Sequence, residues 1–227
     1  MTLINFLIET IGFSVCHQLS SRSLTVGNII LPVCSRCSGI YTGFFITTII
    51  LFIMFRKKEN DLPPLYILII FALFFLSTIV DGIASNFGLY NTNNNLRFIT
   101  GFLCGSSIMS IIYPIFTFQY YKESKKEKIF KKPHKFIIYI LILMVFITIT
   151  LLRFNFLGYF YYYLAGASIL FTFYFINLVM VLLIPIFSQR ASRLASKYLI
   201  LPSIIAIALS LLELFVSFWF HKFINHF

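Results

Sequence analysis

The feature that most constrains this chain is a series of six long apolar runs separated by short polar stretches. The runs cover residues 38–55, 63–84, 97–121, 136–152, 159–187 and 199–220. A helix needs about 20 apolar residues to cross the ~30 Å of hydrocarbon in a bilayer. Consecutive segments in lipid can pair their backbone groups only within helices, and the alternating pattern of a membrane β-barrel is missing. The sequence therefore predicts an all-α integral membrane protein with about six transmembrane helices.

The first 15 residues predict a further, shorter helix. Apolar residues recur there at helical spacing, with Asn5, Glu9 and Gly12 on the other side. The stretch lacks the basic start and the small-residue cleavage site of a signal peptide. Because about 15 residues are few for a full crossing, we expect an amphipathic or half-inserted helix. The chain then forms a single polytopic membrane domain, with an N-terminal segment over 1–37 and a six-helix bundle over 38–227.

The basic residues predict how the bundle is oriented. Of the 18 Lys and Arg residues, 13 lie in the loops 56–62, 122–135 and 188–198, which alternate as loops on one face must. We expect the protein to lie in the inner (cytoplasmic) membrane of the cell. The positive-inside rule then predicts that these three loops face the cytoplasm. The net charge of +11 is explained by these basic loops, which orient the protein and attract anionic lipid headgroups. Membrane lipids are therefore the expected partners, and the charge implies no nucleic-acid partner.

Three of the four cysteines then lie on the extracytoplasmic side. The stretches "CHQLSSRS" and "PVCSRCSG" supply four candidate metal ligands, Cys16, His17, Cys34 and Cys37. Two cysteines spaced as Cys-x-x-Cys can both reach one ion at about 2.3 Å, so the set predicts a metal site, with zinc as the expected cofactor. Arg22, Arg36 and the start of the first long helix favour the thiolate form.

Two other uses of the same cysteines stay open at this point. A Cys-x-x-Cys at the end of a membrane helix also suits a thiol-disulfide oxidoreductase, in which Cys34 and Cys37 exchange electrons with a quinone. Such enzymes need a second exposed cysteine pair, whereas only Cys16 and the embedded Cys104 remain here. The third use is a plain structural disulfide, which an extracytoplasmic location permits.

Polar residues that are costly in a membrane gather at the same side. Asp81 ends the second run and Arg97 opens the third, so we expect them to be neighbours that form an ion pair or line a site. Both are catalytic candidates. Anion-binding candidates are Arg22, Arg36, Asn94, Arg97 and Thr100, because guanidinium groups match phosphate oxygens. The Gly-x-x-x-Gly spacings at 39–43 and 101–105 predict that the first and third runs pack closely.

These motifs together resemble a prokaryotic family of multi-pass membrane proteins of unknown function, DUF2085. The resemblance covers about residues 14–105. The matching positions are Cys16, His17, Gln18, Arg22, Ser23, Cys34, Arg36, Cys37, Gly39, Ile40, Tyr41, Gly43, Asp81, Gly82, Asn94, Arg97, Thr100 and Gly101. The resemblance implies a membrane protein and carries no activity with it.

The leading hypothesis is a membrane protein with an extracytoplasmic Cys/His metal site beside a polar pocket for an anionic, phosphate-bearing or lipid ligand. If it is a metalloenzyme, the metal activates water or polarises a phosphoryl oxygen, with Asp81 or His17 as base. The alternatives are the quinone-linked thiol oxidoreductase and a small-solute or ion transporter. Buried Asp81 and Glu213 suit a transporter, although no broken-helix repeat supports one.

Overall fold

The computed structural model describes residues 3–55, 59–88, 90, 92–122, 127–191 and 196–224. Seven α-helices form within these ranges: α1 Leu3–Val15, α2 Ser35–Phe55, α3 Leu65–Asn86, α4 Asn94–Tyr120, α5 Pro133–Leu151, α6 Gly158–Leu182 and α7 Ile200–Ile224. Helices α2 to α7 are long and apolar enough to cross a membrane. The predicted fold class is therefore confirmed, and the six runs correspond to the six helices within a few residues at most ends.

The helix ends form two distinct faces, which we call the cysteine end and the basic end. At the cysteine end, α2, α4 and α6 begin and α3, α5 and α7 finish. The basic end holds the three Lys/Arg-rich loops, which bond to each other: Asn60 N–H donates to Glu127 O at 3.0 Å and Lys122 N–H to Ala191 O at 3.0 Å. Parts of these predicted basic loops, 56–58, 123–126 and 192–195, lie outside the described residues.

Helices α2 and α4 form the centre of the bundle through four glycines. A Cβ atom on Gly105 would lie 1.9 Å from Ile40 O, and one on Gly43 would lie 2.3 Å from Phe102 O. A Cβ atom on Gly39 would lie 2.4 Å from Phe98 O, and one on Gly101 would lie 2.3 Å from Arg36 O. Only hydrogen side chains fit at this distance between backbones. The structure thus contains the close packing that the two Gly-x-x-x-Gly spacings predict.

A β-hairpin that the sequence pattern did not predict precedes α2. Strand β1 covers Ser23–Val26 and pairs antiparallel with β2, Ile29–Cys34. Gly27 has a φ of 61° at the first of two turn positions, which is the type II′ pattern that suits the twist of a hairpin. The strand β2 leads straight into α2 and so fixes the position of the Cys-x-x-Cys segment.

The hairpin and α1 both enter the bundle from the cysteine end. Gly158, where α6 begins, packs against Val26, whereas Val33 packs in one cluster with Cys16, Ile169 and Leu214. Ile169 is 11 residues further along α6, which is about 16 Å of helix. The β2 strand therefore runs inward along α6. Non-helical backbone at such depth is tolerated where protein covers it or where it lines a cavity.

Helix α1 follows the same inward course. Its Ile8 side chain lies 3.0 Å from the Cβ position of Gly166 on α6, and Phe13 contacts Phe218 on α7 edge to face at 5.6 Å. Large apolar side chains of the other face, such as Leu3 and Phe6, are exposed. A helix of 13 residues that packs on two longer helices matches the half-inserted helix predicted for the start of the chain.

Candidate metal centre

Three cysteine sulfur atoms meet where α1, β2 and α2 converge. The Sγ atoms of Cys16, Cys34 and Cys37 all lie within 4.8 Å of one another. Cys16 is buried, and the other two are partly buried. Sulfur ligands of one tetrahedral zinc ion stand about 3.8 Å apart, given Zn–S bonds near 2.3 Å. The donor set and its spacing therefore fit a soft, thiolate-binding metal such as zinc.

Cys16 is positioned by the residues around it. The Gln18 side-chain amide donates to Glu9 O at 2.9 Å and to Pro32 O at 2.8 Å, which ties the end of α1 to β2. Gln18 adopts a left-handed φ of 51°, so the chain turns sharply after His17. Gly12 makes room for this contact, because a Cβ there would lie 2.5 Å from Pro32 O.

The hairpin and the first turn of α2 position the other two cysteines. Cys34 is the last residue of β2, and Cys37 lies in the first turn of α2. Ser35 Oγ donates to Arg22 O at 2.9 Å, and Ser38 Oγ donates to Val33 O at 3.2 Å. These hydroxyls hold the junction between strand and helix, and the positive amino end of α2 faces the sulfur atoms.

Hydrogen bonds link the three cysteine side chains. The Cys34 backbone N–H donates to Cys16 Sγ at 3.3 Å. Hydrogen bonds from the Cys34 and Cys37 side chains lower the pKa of the Cys16 thiol far below its usual range. The hydrogen bond between the Cys34 and Cys16 side chains raises the pKa of the Cys34 thiol, because Cys34 is the donor in it. These hydrogen bonds therefore favour the thiolate form of Cys16.

A cavity of about 370 Å³ opens beside the three sulfur atoms. It is lined by Val15, Cys16, His17, Gln18, Leu19, Arg22, Cys34 and Cys37. His17 borders the cavity but lies outside the group of three sulfur atoms; its ring instead contacts the ring of His221, with 5.2 Å between centroids. The structure thus brings together three of the four predicted ligands, and a role for His17 as the fourth stays a prediction.

Of the two alternatives for Asp81 and Arg97, the ion pair is wrong, because Asp81 pairs with Arg36. Arg36 Nε donates to Asp81 Oδ2 at 3.1 Å, and Arg36 Nη2 forms the ion pair with the same oxygen. The other oxygen accepts from Thr92 Oγ1 at 2.8 Å and from Tyr90 OH. The carboxylate is only 3% exposed and has all these donors around it. The close α2–α4 contact brings the first turn of α2 beside α3, which sequence spacing alone does not reveal.

The remaining polar candidates have separate partners. Asn94 Nδ2 donates to Ser21 O at 3.2 Å and Ser23 O at 3.0 Å, and its Oδ1 accepts from Arg97 Nη1 at 3.3 Å. Thr100 Oγ1 donates back to Leu96 O in its own helix at 3.1 Å. Asn94 therefore anchors the segment before β1 to α4, and the Thr100 hydroxyl is bonded within its helix.

Arg22, Arg36 and Arg97 form a concentration of positive charge next to the cavity. Arg97 lies close enough to both other guanidinium groups to be repelled by them, and it is attracted by the Asp81 carboxylate. Asp81 neutralises Arg36, whereas Arg22 is exposed at the cavity. Of these three guanidinium groups, those of Arg22 and Arg97 have no carboxylate partner among the described residues.

The residues of this site lie within the part of the chain that matches a known family. Residues 16–111, which contain all three clustered cysteines and Asp81, match the DUF2085 family, described as predicted membrane proteins. An uncharacterized protein of Methanocaldococcus jannaschii is 42% identical over 113 residues, which are 49% of this chain and 69% of that protein. An uncharacterized protein of Methanothermobacter thermautotrophicus is 33% identical over 91 residues, 40% of this chain and 78% of that protein. No solved structure matches the chain significantly.

Proposed function

The chain belongs to the DUF2085 family of predicted membrane proteins, and on that premise we propose that it holds a zinc ion on Cys16, Cys34 and Cys37 and binds an anionic ligand beside it. The observation that carries the proposal is the mutual approach of three sulfur atoms to within 4.8 Å at the wall of a cavity. Three protein ligands leave one tetrahedral position, and a zinc ion with an open position supplies Lewis acidity to whatever group occupies it.

Charge favours an anion in the cavity. A zinc ion with three thiolates carries one net negative charge, and the Arg36–Asp81 pair is neutral. The guanidinium groups of Arg22 and Arg97 together carry two positive charges, so one positive charge remains after the negative charge of the zinc–thiolate group is balanced. Arg22 lines the cavity itself, and guanidinium forks bind phosphate or carboxylate oxygens with two parallel hydrogen bonds. A phosphate-bearing ligand, free or on a lipid headgroup, fits this arrangement best.

Metal content tests the first half of the proposal. Purified protein is expected to carry close to one zinc ion per chain by elemental analysis. Cys16→Ser, Cys34→Ser and Cys37→Ser are each expected to lose it, because every ligand of a three-sulfur site is needed. Cys104→Ser is the matched control: Cys104 is buried in α4 and lies outside the sulfur group. Protein without metal that shows a disulfide among the three cysteines by mass spectrometry would refute the zinc site and favour thiol-disulfide exchange.

Anion binding tests the second half. Protein loaded with Co²⁺ in place of zinc reports on the open position through its visible absorption bands. Inorganic phosphate and, separately, nanodiscs that contain phosphatidic acid are expected to shift these bands, and the stronger response identifies a free or a lipid-borne phosphate. Arg22→Gln and Arg97→Gln should weaken the response. Arg153→Gln is the control, since Arg153 pairs with Asn95 at the same end of the bundle. A response equal in all variants would contradict the proposal.

In this proposal the cysteine end faces away from the cytoplasm, as the distribution of basic residues predicts. After metal removal, Cys34 should react with a membrane-impermeant maleimide on intact cells. A cysteine introduced at the basic end, Ser196→Cys in a background with Cys16, Cys34 and Cys37 all changed to Ser, should react only after the membrane is opened. The opposite pattern of labelling would reverse the orientation.

A further inference from the structure

Helix α7 brings a second histidine into contact with His17, which lines the cavity. His17 and His221 are 204 positions apart in the sequence, yet their rings meet edge to face with 5.2 Å between centroids. Phe13 packs on His221 from α1, with ring centroids 6.0 Å apart. The side chain of Cys16 points inward to the other sulfur atoms, whereas that of its neighbour His17 is exposed. The side chains of these two adjacent residues thus lie in different environments.

The hydrogen bond of His221 is the one that metal-binding histidines have. Its Nδ1 lies 3.1 Å from Ser217 O, one turn earlier in α7. With Nδ1 as the donor to this carbonyl, Nε2 keeps its lone pair and the ring has a fixed orientation. Metal-ligating histidines almost always donate their second ring N–H to a carbonyl or carboxylate in this way. His17, partly free at the cavity mouth, can turn its own nitrogen toward the same point.

We propose that His17 and His221 form a second metal site, which binds a borderline divalent transition ion such as Zn²⁺, Co²⁺ or Ni²⁺ next to the three-sulfur site. Imidazole nitrogen suits these ions, and water or an anion in the cavity supplies the remaining ligands. The site links the turn after α1 to the last turns of α7, so an ion there fixes the half-inserted helix against the bundle. The proposal goes beyond the zinc–thiolate site and does not require it.

The test uses the full chain in detergent with the thiolates occupied by Cd²⁺, followed by titration with Co²⁺. Wild-type protein is expected to bind one Co²⁺ per chain, with weak visible bands and without the strong near-ultraviolet bands of cobalt thiolates. His17→Ala and His221→Phe should each raise the half-saturating Co²⁺ concentration more than ~10-fold, since loss of a ligand costs at least as much as the loss of its supporting hydrogen bond. The phenylalanine preserves the ring packing on Phe13. His134→Ala, on α5 at the basic end, is the matched control.

The outcomes separate the two sites. Loss of Co²⁺ binding in both histidine variants, with Cd²⁺ content unchanged, supports the two-histidine site alone. Unchanged Co²⁺ binding in His221→Phe, or an equal effect of His134→Ala, overturns it. If the wild-type protein takes up no Cd²⁺ on its thiolates, the zinc–thiolate proposal fails, and the Co²⁺ titration still decides whether the histidines bind metal.

Discussion

The Arg36 guanidinium and the Asp81 carboxylate join the first turn of α2 to the last turns of α3, with Arg36 Nε 3.1 Å from Asp81 Oδ2. The pair stands immediately beside the three-cysteine group, because Arg36 lies between Cys34 and Cys37. The Asp81 carboxylate neutralises the Arg36 guanidinium, and the pair links the two helices. The arginine between the cysteines therefore ties the Cys-x-x-Cys segment to α3, and of the three arginines near the cavity Arg22 and Arg97 are left for a ligand.

Removal of one partner of this pair should destabilise the protein more than removal of both. Asp81→Asn is expected to lower the free energy of unfolding by about 2–3 kcal/mol, less than the ~3–5 of a fully buried pair because a quarter of Arg36 remains exposed. The double variant Asp81→Asn with Arg36→Gln should recover at least half of this loss. Thermal unfolding in detergent measures both. Recovery by Asp81→Asn with Arg97→Gln instead would show that Arg97 is the true partner.

The positions of the helices along the chain follow from the sequence, whereas the rotation of each helix about its own axis does not. The length of each apolar run sets the helix, so α2 to α7 could be predicted closely. The partner of Asp81 could not, because the short connection to α4 indicates Arg97 while the facing side of each helix decides the contact. The glycines of α2 and α4 give the physical reason: they let α2 approach until Arg36 passes over Gly82 and reaches α3.

The candidate site was half visible in the sequence. Cys16, Cys34 and Cys37 share a short stretch, so their convergence could be predicted from spacing. The hairpin that aligns them carried a signal, a Gly27-Asn28 turn between two apolar stretches, but its strands read like the neighbouring apolar sequence. His221 could not be found in this way, because nothing in the sequence states that the end of α7 lies beside the turn after α1.

The contact between α2 and α4 predicts a strong response to a single methyl group. Gly105→Ala is expected to destabilise the protein by about 3 kcal/mol or more, at or above the upper end of typical overpacking, since the added carbon would lie 1.9 Å from Ile40 O. Gly82→Ala is the matched control, because its nearest neighbour, Arg36 Nη1, is 3.6 Å away. Comparable unfolding temperatures for the two variants would contradict the close helix packing.

A buried tyrosine hydroxyl connects α5 to the centre of the bundle. Tyr139 OH lies 3.0 Å from Ser110 Oγ and 3.4 Å from Thr47 Oγ1, and its side chain is fully buried. Tyr139→Phe keeps the ring and removes these bonds, so it should lower the free energy of unfolding by about 1 kcal/mol. Tyr159→Phe, at an exposed position on α6, should change it by less than ~0.5 kcal/mol. An equal effect of the two substitutions would mean that the Tyr139 hydroxyl bonds contribute nothing.

Gln18 is expected to control zinc affinity without touching the metal. Its amide bonds to Glu9 O and Pro32 O hold the turn that carries Cys16 against β2, which carries Cys34. Gln18→Met keeps the side-chain length and loses both bonds, so Cys16 is no longer held in position and affinity should fall ~10–100-fold, as for lost supporting hydrogen bonds at metal sites. Competition with a chromophoric chelator measures this. Thr10→Ala, which removes a bond only within α1, should leave affinity unchanged. Wild-type affinity in Gln18→Met would mean that the three sulfur atoms keep their geometry without the link between α1 and β2.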